Sequence, residues 1–228
     1  MPRTNHSISR AEIERAIYLD FEGEGARLFH AAAPDPILAG ILVDGVYEWT
    51  LLDQELQDVA WFHEVPVIEL PDYLEHLVDR ARSEGRRIVY WTSHEAEVFE
   101  QHGFPPGRLG FDLKIPVKPH FREAFAESKK AYKKIFGAST SLKKKLVPKA
   151  FGLCVQCARL ACDFVVPTDY GFGRVGARIR YCKRQARTKD SYDSWSPGAK
   201  RKWTSLVKHN RKDCEAMSLL ANKYAASP

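Results

Sequence analysis

The chain has 228 residues, 44% of them hydrophobic, enough to bury one sizeable core, and a formal net charge of +6. It holds no run of 18 apolar residues and no apolar signal core within residues 1–15, so neither a membrane span nor secretion is expected. Five cysteines are an odd number for a disulfide framework and read as reduced thiols in a cytoplasmic protein.

Residues 1–10 read as a loose flexible tail, and a single domain is expected over 11–225. A first strand is predicted over 15–22, where Ile17, Leu19 and Phe21 alternate with Tyr18, Asp20 and Glu22. Period 2 puts Asp20 and Glu22 on one face, about 6–7 Å apart. Two such acids repel unless water or a cation lies between them, and a pair of hard divalent cations about 3.5–4 Å apart suits them. A strand end whose acids face solvent has the same spacing. Residues 36–43 form an apolar run, Asp44-Gly45 is a two-residue hairpin signal, and 46–51 is the returning strand.

A helix is predicted from Leu70-Pro71, with Leu74, Leu77, Val78 and Ala81 on one face. Residues 87–91 read as a short strand, 92–103 as a helix, and 109–115 as a further short strand. Three antiparallel strands followed by helix–strand–helix–strand give a mixed α/β sheet. From 118 onward the pattern is helical. Phe121, Phe125, Tyr132 and Phe136 recur at helix spacing, Gly137 is a stop, and Ser139 to Ser141 cap a second short helix. A third helix is expected over 175–185. Ser196-Pro197 opens a last one, reaching Tyr224 with a break near His209-Asn210. Residues 188–198 are the expected mobile loop.

Further acids accompany the first pair. Glu95 follows the strand at 87–91, so the first turn of its helix lies at a strand's carboxyl end, where ligand crevices form. Thr92-x-x-Glu95 also matches a capping box, which would employ the carboxylate locally. His209 and Asp213 are four apart and share one helical face, which continues through Ala216 and Leu220. An acid with an imidazole one turn earlier suits metal ligation plus proton acceptance, and equally an ordinary surface pair.

Together, Tyr-Leu-Asp20-Phe-Glu22-Gly, the helix start with Glu95, and His209-Asn-x-x-Asp213-Cys-x-Ala resemble the RNase-H-like DEDD exonuclease superfamily. The nearest branch is the predicted RNase-H-like domain of RecB-family-type nucleases. Thr140 to Lys143 and the Tyr181 region are also similar to that branch. Two departures stand out: Glu95 holds a place commonly taken by Asp, and His209 one commonly taken by Tyr. The resemblance implies an RNase-H-like mixed sheet flanked by helices, with 118–195 a basic, mostly helical insertion. It further implies a nuclease, a 3′–5′ exonuclease in the first instance, with two ions of Mg²⁺ or Mn²⁺. Asp20 would bridge both metals, Glu22, Asp213 and Glu95 would support them, and His209 would orient or deprotonate the attacking water. Asp112 is a spare acid at a strand end.

Charge is unevenly spread. Residues 1–114 hold 10 Lys and Arg against 21 Asp and Glu, whereas 115–228 hold 25 against 8. An acid-lined site beside a basic track fits a phosphodiester substrate, DNA or RNA. Lys143, Lys144, Arg178, Arg180, Tyr181, Lys208, Arg211 and Lys212 are the candidate nucleic-acid contacts. A solvated helix face is the plainer account of each cluster. Cys154-x-x-Cys157-x₄-Cys162 lacks a close fourth metal ligand and reads as buried thiols. Gly171-x-Gly-x-x-Gly176 follows no clean strand and reads as loop glycines. Three rival functions are a binding module with a broken site, a transposase-like or Holliday-junction-type endonuclease on the same fold, and an assembly protein with a basic face.

Overall fold

The computed structural model describes residues 7–24, 35–136, 152–167, 170 and 174–227. Strand β1 (Ile17–Glu22) pairs antiparallel with β2 (Leu38–Val43), which pairs antiparallel with β3 (Val46–Leu51). On its other side β1 pairs in parallel with β4 (Ile88–Tyr90), which pairs in parallel with β5 (Gly110–Asp112). The order across the sheet is β3-β2-β1-β4-β5. Asp44 (φ 51°) and Gly45 (φ 79°) adopt the left-handed backbone that a two-residue hairpin turn requires. All six residues of β2 are buried, as expected for a strand covered on both faces.

The helices are α1 (Arg10–Glu14), α2 (Gln57–Phe62), α3 (Leu70–Ser83), α4 (Ser93–Gln101), α5 (Lys114–His120), α6 (Arg122–Phe136), α7 (Leu153–Cys162), α8 (Val175–Thr188) and α9 (Pro197–Ala225). They cover both faces of the sheet. Ile17, Leu19 and Phe21 pack with Leu74, Leu77, Val98 and Phe99 of α3 and α4. Tyr18 and Val89 pack on the opposite side with Val155 of α7 and Met217 and Leu220 of α9. A third cluster joins Leu38 and Leu51 to Ile179, Trp203 and Leu206. Burying each large apolar side chain stabilises by roughly 1.5–3 kcal/mol. Helix α9 enters two of these clusters and is therefore held against the sheet along much of its length.

Several expectations need correction. The predicted tail is structured from residue 7: Ser9 caps α1 in a reciprocal box with Glu12, and Ile8 is buried. The strand expected over 109–115 ends at Asp112, whose Oδ1 accepts from Lys114 N at 3.0 Å as the chain turns into α5. Helix α9 runs unbroken through His209-Asn210. Both side chains bond to backbone outside α9 there, so the Asn210 amide does not compete for its own helix backbone. The loop expected at 188–198 contains a 3₁₀ turn, Tyr192–Ser194, and anchors itself with buried Tyr192 and Trp195, ring centroids 4.9 Å apart. Cys154, Cys157 and Cys162 lie on α7 as free thiols, the first two buried. Gly137, the short helix expected from the Ser139–Ser141 cap to near Pro148, Gly171 and Gly173 lie outside the described residues. No described helix is long and apolar enough to cross a membrane.

Candidate metal centre

Asp20 and Gly40 are register partners in the β1–β2 pair. The missing side chain at Gly40 lets α9 approach the sheet. A Cβ there would lie 1.5 Å from Asn210 Oδ1 and 2.8 Å from Tyr47 Oη. Asn210 Nδ2 donates to the Asp20 carbonyl at 2.9 Å and to Asp20 Oδ2 at 2.8 Å, while Tyr47 Oη donates to Asn210 Oδ1 at 2.7 Å. Cys214 Sγ meets the Gly40 carbonyl at 3.5 Å. These contacts register α9 on the sheet and bring His209 and Asp213, four apart on one face, to the carboxyl end of β1.

His209 Nε2 lies 3.3 Å from Asp213 Oδ2 and 3.8 Å from Glu22 Oε1. Glu22, His209 and Asp213 each offer a ligand atom, and the three atoms lie within 4.8 Å of one another. The other imidazole nitrogen, Nδ1, is 2.9 Å from the Tyr170 carbonyl. A carbonyl only accepts, so Nδ1 carries a proton, and Nε2 is the nitrogen that faces the two carboxylates. A ring nitrogen tied to a backbone carbonyl while its partner faces acids is the usual support of a metal-binding histidine. Glu22 Oε1 is buried and has no hydrogen-bond partner among the described residues. Two buried carboxylates brought this close, one with an unpaired oxygen, are unfavourable until a proton or cation lies between them.

The electrostatics agree. Loss of hydration, then the charges of Glu22, Asp213 and Glu95, push the Asp20 carboxyl well above its ordinary range, and the Asn210 amide opposes the shift. Glu22 is pushed well above by burial and by Asp213, with the Arg178 guanidinium opposing. Burial also raises Asp213, against the pull of His209 and the Tyr170 hydroxyl. Glu95 is buried, and that burial raises it to about 7. Its capping role is also real. Thr92 Oγ1 and Thr92 N donate to Glu95 Oε2 at 2.8 and 3.2 Å. The carboxylate thus serves the helix start while its charge reaches Asp20 and Glu22.

The structure therefore brings Glu22, His209 and Asp213 into one group. Asp20 stands beside it, pinned by Asn210, and Glu95 stands outside it at the helix cap. Asp112 takes the amide of Lys114 and adds its charge to the surroundings of Glu95. Four supporting residues escaped the sequence reading. Asn210 lay within the motif without a role. Gly40 carried a usable signal, since glycine inside a strand marks a close approach. Tyr47 sat unremarked in the returning strand. Tyr170 left no signal, because it belongs to no helix or strand.

The basic residues are largely engaged within the molecule. Arg178 is half-buried, its Nη1 3.3 Å from the Tyr170 carbonyl. Arg180 donates to the Glu24 carbonyl at 2.6 Å. Tyr181 is half-buried, with Lys202 Nζ 4.4 Å and the Arg184 guanidinium 5.4 Å from its ring centroid. Arg211 and Lys212 both pair with Glu215, and Lys183 joins Glu24, Asp53 and Glu55. Lys208, one residue before His209, is exposed. Lys143 and Lys144 lie outside the described residues. Comparisons with protein-family models, curated proteins and solved structures find no match.

Proposed function

We propose that this chain is a metal-dependent nuclease on an RNase-H-like fold, acting on DNA or RNA as a 3′–5′ exonuclease. The observation that carries this reading is the convergence of Glu22, His209 and Asp213, with Asp20 alongside and Glu22 Oε1 without a hydrogen bond among the described residues. The sheet order β3-β2-β1-β4-β5, antiparallel then parallel about β1, is compatible with that fold.

The donor set fits a hard divalent cation: Glu22 Oε1, Asp213 Oδ2 and an oxygen of Asp20 would hold Mg²⁺ or Mn²⁺. When bound, such a cation supplies Lewis-acid stabilisation of the charge that develops on the scissile phosphate. Asn210 occupies Asp20 Oδ2, which leaves Oδ1 as that residue's donor. His209, with its own proton held at Nδ1, accepts the proton of the attacking water at Nε2. Glu95 keeps the start of α4 fixed and adds negative charge that strengthens the call for a cation. Lys208, exposed on α9 beside His209, supplies positive charge for a backbone phosphate.

The test is incubation of end-labelled single-stranded DNA and RNA with Mn²⁺ or with EDTA, beside Asp20→Asn and Glu22→Gln. Shortening from the 3′ end that needs Mn²⁺ and vanishes in both variants is the expected result. Binding without cleavage in any metal would overturn the enzyme and leave a binding module.

A further inference from the structure

The sequence reading left the place usually held by a tyrosine to His209, and no phenol was assigned to the site. One is present nonetheless, delivered from outside every helix and strand. Tyr170 is buried and lies against the imidazole, with ring centroids 4.0 Å apart and planes 27° from parallel. Its hydroxyl donates to Asp213 Oδ1 at 2.7 Å. Its carbonyl accepts from His209 Nδ1 at 2.9 Å and meets Arg178 Nη1 at 3.3 Å. Its own amide donates to the Pro167 carbonyl at 3.2 Å. One residue therefore holds both the imidazole and the carboxylate of the last motif, and is itself held from two further sides.

We propose that Tyr170 is the positioning residue of this centre: its carbonyl sets the His209 tautomer and its hydroxyl fixes the Asp213 rotamer, so that Nε2 and Oδ2 both face Glu22. This rests on the metal-centre reading above. The geometry divides the labour cleanly. With Oδ1 engaged by the phenol, Asp213 presents Oδ2, the oxygen 3.3 Å from Nε2. With Nδ1 engaged by the carbonyl, the ring cannot present a donor hydrogen from that nitrogen to the acids. The stacked ring blocks one face of the imidazole and opposes its rotation. Outer contacts of this kind orient metal ligands, and their loss commonly weakens metal affinity about 10–100-fold.

The test uses the full chain and two variants. Tyr170→Phe keeps the ring and the carbonyl and removes only the hydroxyl; Tyr170→Ala removes the ring as well. Mn²⁺ affinity is measured by calorimetry, with the metal-free melting temperature taken beside it. The His209 ring nitrogens are assigned by ¹⁵N NMR in metal-free protein at pH 8. Expected are a wild-type ring protonated at Nδ1 and bare at Nε2, and the same ring in Tyr170→Phe with Mn²⁺ affinity lower by about 10–100-fold. Tyr170→Ala, which keeps the backbone carbonyl but loses the stacked ring as well as the hydroxyl, should lower Mn²⁺ affinity further than Tyr170→Phe. Mn²⁺ affinity unchanged in a folded Tyr170→Phe would overturn the proposal, as would a neutral wild-type ring protonated at Nε2. A fall in melting temperature with unchanged affinity would assign Tyr170 a merely structural role and overturn it too. Wild-type protein that binds no Mn²⁺ would instead sink the metal centre, and the ring-nitrogen signals, measured without metal, would then decide the case for Tyr170.

Discussion

Ile17, Leu19 and Phe21 are covered by the apolar cluster of α3 and α4, whereas Tyr18, Asp20 and Glu22, interleaved with them, face α9. One strand thus builds both regions. On the first face, burial is its own reward, since each apolar side chain leaves water for a close-packed neighbour. On the second, Tyr18 buries its ring and donates its hydroxyl to the Ile13 carbonyl at 2.8 Å, but the two acids beyond it are driven together against their repulsion. The difference teaches that an acidic site is held by packing elsewhere: the apolar face supplies the stability that keeps the acidic face assembled.

Truncation on the apolar face should have the largest effect. Leu19 is fully buried, and Leu19→Ala is expected to cost about 2–5 kcal/mol in urea unfolding. A loss below 1 kcal/mol would mean that this face does not carry the strand. Next comes pH, which sharpens the contrast because the raised carboxyls of the acidic face lose their contribution as pH rises, while His63, lowered by burial, acts in the opposite direction. Glu95 rises from 4.5 to about 7 on folding, worth roughly 3 kcal/mol. A raised carboxyl binds its proton more tightly in the folded state. Its contribution is therefore complete below about pH 4.5 and is lost as pH climbs through 7. Asp20, Glu22 and Asp213 shift in the same direction. Glu12, Asp44, Glu84 and Glu215 shift the other way, so they act at more acid pH. Unfolding in EDTA should show stability falling from pH 5 to pH 8, and Mn²⁺ should flatten that slope. An identical slope with Mn²⁺ would speak against a cation at these acids.

Glu22→Gln should break the symmetry of the comparison by its sign. Removing a buried carboxylate whose Oε1 has no hydrogen bond among the described residues is expected to raise metal-free stability by about 1–3 kcal/mol while abolishing cleavage. A destabilised variant would show that Glu22 is held by favourable partners after all. The smallest effect expected is that of Tyr47→Phe, which removes one hydrogen bond from the Asn210 relay at a cost of about 0.5–1.5 kcal/mol. Equal stability of variant and wild type would detach Tyr47 from the registration of α9.

Much of the fold was legible because its signals are local. Alternation at 17–22, the Asp44-Gly45 turn and the Leu74–Ala81 stripe each follow from the conformation of a few neighbouring residues. The Ser9–Glu12 box at α1 was equally local and was simply passed over. The misread segments share a different cause. Residues 188–198 are polar enough to suggest a loop, yet Tyr192 and Trp195 find a core that composition cannot reveal. Among the basic clusters, folding gives Lys183 distant acidic partners in Glu24, Asp53 and Glu55, whereas Arg211 and Lys212 pair within their own helix with Glu215.

Taken alone, the order of residues determined the kind of chemistry at the site: two acids on one strand face, and an imidazole and an acid one helical turn apart. Periodicity guarantees those pairings wherever the strand and the helix form. Whether the two pairs meet was decided by the tertiary structure. That distance depends on how deeply α9 settles on the sheet, which Gly40 permits and Asn210 registers, and on Tyr170 arriving from an irregular segment to turn His209 and Asp213 toward Glu22. Such contacts join residues far apart in the chain, and only packing of the whole domain brings them within bonding range.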